Sequence, residues 1–127
     1  MSGHVLSADA LRAALEAKPG AVGTPLANPS APGVTLYKVM GKMFAILTAH
    51  KTASVILKCD PHLAEILREQ YAGVGHRSHL DRRFWISVTL DADVPAEETL
   101  RLADHSYDLV CAKLTRKQKA ELAALAS

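Results

Sequence analysis

Three runs rich in β-branched and aromatic residues follow one another almost without interruption: "VTLYKVM" (34–40), "KMFAILTA" (42–49) and "ASVILKC" (53–59). Such runs, bounded by short breaks, predict strands. The breaks are Gly41 and the few residues around His50–Thr52. A parallel crossover takes a dozen or more residues, so breaks this short permit only antiparallel neighbours. Strands over 34–40, 42–48 and 53–58 are therefore expected as a meander, and the rest of the chain must pack around it.

The flanking segments change period. Ser7 is placed to cap a helix, with Leu6 and Leu11 as a hydrophobic staple; Leu11, Ala14 and Leu15 form one stripe, which "KPG" at 18–20 ends. "AVGTPLANPSAPG" (21–33) carries Pro25, Pro29 and Pro32 and is expected to be an extended loop. Asp60 and Pro61 start a helix near 61–71 with Leu63, Ile66, Leu67 and Gln70 on one face, closed by Gly73 and Gly75. A fourth strand over 84–90 alternates. Phe84, Ile86, Val88 and Leu90 take one face, expected to be the core; Arg83, Trp85, Ser87 and Thr89 take the other. After Asp93 and Pro95 a helix is expected over 95–114, striped by Leu100, Ala103, Tyr107, Val110 and Leu114. Tyr107 on that stripe is expected to pack in the core with its hydroxyl bonded near the sheet. Thr115 and Gln118 form a capping box for a last helix bearing Leu122 and Leu125. The expected fold is α+β, a single domain over 1–127: an antiparallel sheet of four or more strands with helices packed on one face.

Composition narrows the functional classes. A chain of 127 residues, 49% apolar, can bury a core without staples. No apolar run approaches the roughly 20 residues that span a bilayer, and the opening "MSGHVLSADA" lacks the pattern of a secretory leader. No membrane association is expected. The two cysteines, Cys59 and Cys111, form no framework, which suits packed thiols in a reducing, cytoplasmic setting. A formal charge of +2 does not by itself imply a nucleic-acid partner, so any such case depends on where the positive charge sits.

Of the chemistry-bearing clusters, "GHRSHLDRRFW" (75–85) is the densest. His76 and His79 would meet only on a helix, which the neighbouring glycines disfavour, and no third or fourth ligand stands at a recognisable spacing. No metal and no other cofactor is expected. In "DHSYD" (104–108), His105 and Ser106 are consecutive on a helix and fan apart by about 100°, so they do not form a local nucleophile–base pair. "GAVG" (20–23) is followed by Pro25, and "GVG" (73–75) lacks the third glycine and the strand–helix context of a phosphate cradle. An enzyme is not expected. Positive charge remains. Arg77, Arg82 and Arg83 surround the sole tryptophan, Trp85, with Asp81 in partial offset; Lys113, Arg116, Lys117 and Lys119 gather where the last two helices meet. An exposed tryptophan beside guanidiniums suits phosphate contact and base stacking. It equally suits a ring packed under a loop or in an interface, with the arginines solvated over it.

"KVMGKMFAIL", "LKCDPHLAEILREQY", "HLDRRFW" and "DHSYDLVCAKLTRK", in that order from Lys38 to the C-terminal helices, resemble the MmcQ/YjbR family of small bacterial proteins. The family pattern runs K-V-x-G-K-M-F, L-K-C-x-P, G-Y-H-M-N-K-R-H-W and S-Y-D-L-V. The resemblance implies a fold likened to frataxin-like proteins and secretion chaperones, described as a "double wing" DNA-binding domain. The positions that match are Lys42, His79, Arg83, Trp85, Ser106 and Tyr107, with Arg82 in place of a lysine. Arg77 and Ser78 replace the Gly-Tyr pair, Asp81 the asparagine and Phe84 the second histidine. The function expected first is non-enzymatic DNA binding of modest affinity through Lys42, Arg77, His79, Arg82, Arg83, Trp85, Lys113, Arg116 and Lys117. The alternative is a protein-interaction or chaperone-like module that uses the open sheet face around Trp85 and Tyr37.

Overall fold

The computed structural model of the protein describes residues 6–26, 33–49, 52–76 and 80–126. In chain order the elements are α1 (Ala8–Glu16), β1 (Ala21–Pro25), β2 (Val34–Val39), β3 (Lys42–Thr48), β4 (Ser54–Lys58), α2 (Pro61–Gln70), β5 (Val74–Gly75), β6 (Trp85–Thr89), α3 (Ala96–Ala112) and α4 (Arg116–Ala126). The strands form one antiparallel sheet in the order β1-β2-β3-β4-β6-β5. The meander is present as expected. Its first turn is tight because Met40 and Gly41 both take positive φ, 49° and 81°, as a two-residue hairpin of matching twist requires.

The sheet has a buried row and an opposite row. Tyr37, Ala45, Leu57 and Ile86 are cross-strand partners in turn, and all are buried. They join one core cluster with Leu11 and Leu15 of α1, Ala64 and Leu67 of α2, and Leu102, Ala103 and Val110 of α3. The caps that aim these helices are the expected ones. Ser7 Oγ accepts from the Ala10 amide at 3.0 Å, and Asp60 Oδ2 accepts from the His62 and Leu63 amides at 3.1 Å each. The buried stripe of α3 is Thr99, Leu102, Ala103, Ser106 and Val110, with Leu100 and Tyr107 half-buried beside it.

Three expectations are corrected. The segment expected to be a loop over 21–33 begins with β1, which pairs with β2 from Ala21–Val39 to Pro25–Thr35. A proline is tolerated there because β1 is an edge strand whose outer side needs no donor. Gly23 allows the pairing: a Cβ on it would stand 2.6 Å from the Tyr37 ring. Tyr37 itself is fully buried and its hydroxyl donates to Glu16 Oε2 at 3.1 Å, so it takes no part in an open face. Burial, reinforced by the Glu16 carboxylate, pushes that hydroxyl up to about 12. Phe84 is exposed rather than core, because β6 starts one residue later and Phe84 closes a turn whose amide donates to the Asp81 carbonyl. Tyr107 packs against the core as expected, and its hydroxyl donates to the Pro19 carbonyl, two residues before β1.

One irregularity organises the site. Tyr37 pairs with Ala45 but Lys38 with Met43, so Phe44 is a residue in excess on β3, a β-bulge. It places Phe44 and Ala45 side by side in the core, both fully buried. Phe44 there meets the Tyr107 ring edge-on at 5.3 Å and the Tyr37 ring at 6.4 Å.

Candidate functional site

The β3–β4 register stops at Ala45–Leu57, next to the bulge. One position further, the Phe44 carbonyl and the Lys58 amide are joined through α3: the Lys58 amide donates to Ser106 Oγ at 2.8 Å, and the Ser106 hydroxyl donates to the Phe44 carbonyl at 2.6 Å. Ser106 is completely buried and satisfies two backbone groups that the bulge would orphan. Ser106→Ala is expected to destabilise the fold by about 1–3 kcal/mol, the cost of leaving such groups unpaired. Urea denaturation measures it; an unchanged midpoint would mean that the two strands simply re-pair.

Where β3 and β4 part, a groove of about 440 Å³ opens, lined by Lys42, Met43, Lys58, Trp85, Val110 and Lys113. Lys42 and Met43 come from the start of β3, Lys58 from the end of β4, Trp85 from the start of β6, and Val110 and Lys113 from the end of α3. Lys58 and Trp85 are cross-strand partners, and the ammonium stands 5.9 Å from the ring centroid. Trp85 is half-buried, so part of its ring faces the groove. Among the described residues none of the three lysines has a carboxylate partner, and no carboxylate lines the groove.

The turn before Trp85 is differently built. Asp81 Oδ1 accepts from the Arg83 amide at 3.0 Å and from its Nε at 3.1 Å, while Oδ2 accepts from its Nη2 at 2.8 Å. The forked pair occupies the Arg83 guanidinium, which also stacks 5.3 Å from the Phe84 ring. From α2, Arg68 Nη2 donates to the carbonyls of Arg82 at 2.6 Å and Trp85 at 2.8 Å. The turn is thus pinned on both sides and delivers Trp85 to the groove.

Those hydrogen bonds from Arg83 hold the Asp81 carboxyl down at about 2, against an ordinary 3.8. A lowered carboxyl stabilises the turn fully above the ordinary value and loses that contribution as pH falls through about 2. A carboxyl titration followed by NMR should place Asp81 near that value, and Arg83→Gln should return it to the usual carboxylate range. An Asp81 that titrates normally in the unaltered protein would show the fork to be absent in solution.

Of the residues expected at a site, Lys42, Trp85 and Lys113 are brought together. Arg82 is exposed in the turn, Arg83 is occupied by Asp81, and Arg116 and Lys117 are exposed on the first turn of α4, none of them lining the groove. Arg77 and His79 lie outside the described residues, and His76 is exposed. Lys58 was not anticipated. Its signal was the "LKC" run, but only the β4–β6 register sets it against Trp85. The remaining reactive groups are engaged elsewhere: His105 Nε2 accepts from the Asp60 amide at 3.3 Å, and burial pushes the Cys59 thiol up to about 11 and raises Cys111. No described helix is long and apolar enough to cross a membrane.

Comparison with known proteins gives a consistent result. The family model described as YjbR matches residues 16–109. The proteins named "Uncharacterized protein YjbR" from two Escherichia coli strains are 36% identical over 74 residues, 58% of this chain. The chain spans 63% of the length of these curated relatives. The crystal structure of a Deinococcus radiodurans protein with a DUF419 domain is similar at a TM-score of 0.81 and 30% identity, over 94% of this chain and 89% of that one. A Pseudomonas syringae crystal structure, 19% identical, shares the fold at a TM-score of 0.68 over 80% of this chain and 96% of its own.

Proposed function

The chain belongs to the YjbR family, and from that premise we propose that it is a DNA-binding protein without catalytic activity, cytoplasmic, whose phosphate contacts are centred on Lys42, Lys58 and Lys113 around Trp85. What supports this reading is the groove: three lysines, free of carboxylate partners among the described residues, line it together with one half-buried indole, and the Lys58 ammonium stands 5.9 Å from the ring centroid. Lysines so arranged neutralise phosphates, and the indole offers a stacking surface. Arg82, Arg116 and Lys117 are secondary contacts at the rim, and Arg83 contributes less than its charge suggests because Asp81 already compensates it.

A salt series tests the reading. With fluorescently labelled DNA, the logarithm of the binding constant should fall linearly with the logarithm of salt concentration. Arg83→Ala should bind nearly as the unaltered protein does. Absence of binding at low salt removes the DNA reading, and the protein-interaction reading then takes its place. One observation favours that second reading. Leu36 and Ile46, both half-buried, pair on the sheet face opposite the core row, with the buried Ile56 next to Ile46. A protein partner retained by the unaltered chain and lost on Ile46→Glu would support it.

A further inference from the structure

We infer that the groove takes a single unpaired nucleotide of a DNA strand, its base against Trp85 and its flanking phosphates among Lys42, Lys58 and Lys113, so that single strands are preferred to duplex. This rests on the DNA-binding reading above and specifies its substrate. In a duplex the faces of the bases are stacked on one another, and a protein meets only their edges and the phosphates. An indole can be covered by a base face only when that base is unstacked. Trp85 is set in a concavity rather than on a ridge that could enter a groove of DNA. The groove, about 440 Å³ and open on its outer side, has apolar walls in Met43 and Val110 that a ring can lie against. The cations are equally local. Lys42, Lys58 and Lys113 line the same small groove instead of spreading along a face, which suits the one or two phosphates next to a captured base. The Lys58 ammonium stands 5.9 Å from the ring centroid, within reach of a phosphate beside a captured base.

The chain's only tryptophan is its own reporter. The protein is titrated at low salt with end-labelled oligothymidylate, with a labelled hairpin duplex of the same length, and with thymidine monophosphate. Label anisotropy and Trp85 emission are read together. The expected result is that oligothymidylate binds tighter than the hairpin and quenches Trp85, while the monophosphate quenches only at far higher concentration. Trp85→Ala should weaken the single strand by roughly 5- to 150-fold, the range for losing one stacked base. Lys58→Gln should weaken it with an unchanged melting curve, which covers the case in which the tryptophan variant does not fold. A hairpin that binds as tightly as the single strand, or a single strand that binds without changing the emission, overturns the inference and leaves DNA binding standing. A monophosphate as tight as the oligonucleotide also overturns it, in favour of a free-nucleotide site. If neither oligonucleotide binds, both the inference and the DNA reading fall.

Discussion

Phe44→Ala is expected to lower the stability of the fold by about 3–5 kcal/mol, the cost of truncating a fully buried phenylalanine and leaving its cavity. Phe44 is wholly buried, stands edge-on to Tyr107 and sits on the bulge that ends the β3–β4 ladder. Its neighbours cannot collapse into the vacancy easily, because Tyr107 is held to the Pro19 carbonyl and Tyr37 to Glu16. Domains of this size are stable by about 5–15 kcal/mol in all, so the variant should unfold at much lower denaturant. Phe84→Ala is the matched control. Phe84 is 38% exposed, and its removal should change stability by only about 0.5 kcal/mol. Guanidinium denaturation of both variants checks the pair. Equal losses would mean that the bulge does not turn Phe44 inward.

Replacing Lys42, Lys58 and Lys113 together by glutamine should abolish most DNA affinity at physiological salt and flatten its salt dependence. Each phosphate contact given up removes about 0.7–0.9 from the slope of log K against log salt, so losing the one or two phosphates held in the groove should flatten it by roughly 1–2. The three side chains are exposed or half-exposed and carry no ion pair among the described residues, so melting should change little. The same substitutions at Arg116, Lys117 and Lys119 are the comparison, since they remove equal charge from the first turn of α4. If both triple variants lose affinity and slope alike, binding is diffuse attraction and the groove is not its centre.

The meander, its antiparallel pairing and the helix caps were legible because each depends on local chemistry. β-Branched runs prefer a pleated surface, a two-residue break can only reverse the chain, and Ser7, Asp60 and Thr115 satisfy amides within a turn of themselves. The order of the four blocks "KVMGKMFAIL", "LKCDPHLAEILREQY", "HLDRRFW" and "DHSYDLVCAKLTRK" along the chain likewise carried the family. Strand β1 was missed because Gly23 and Pro25 speak against a strand by propensity, whereas the edge position admits Pro25 and the Tyr37 ring beside Gly23 leaves no room for a side chain there. The face of Phe84 was misjudged because alternation was extended one residue past the strand's start, where the Asp81 turn resets the chain.

Only the tertiary structure decided which basic residues stand together. Arg83 stands two positions before the tryptophan yet is bound by Asp81, while Lys58, 27 positions before Trp85, lies against its ring through the β4–β6 register. Ser106 shows the same division. Its neighbours in sequence suggest a catalytic serine, but α3 lays it on the one place where β3 and β4 cannot complete their ladder, and its hydroxyl bonds to backbone on both sides. Propensity, capping and turn chemistry act over a few residues and are written in the chain. Charge pairing, bulge repair and groove formation depend on distances between residues far apart in sequence, which packing alone fixes.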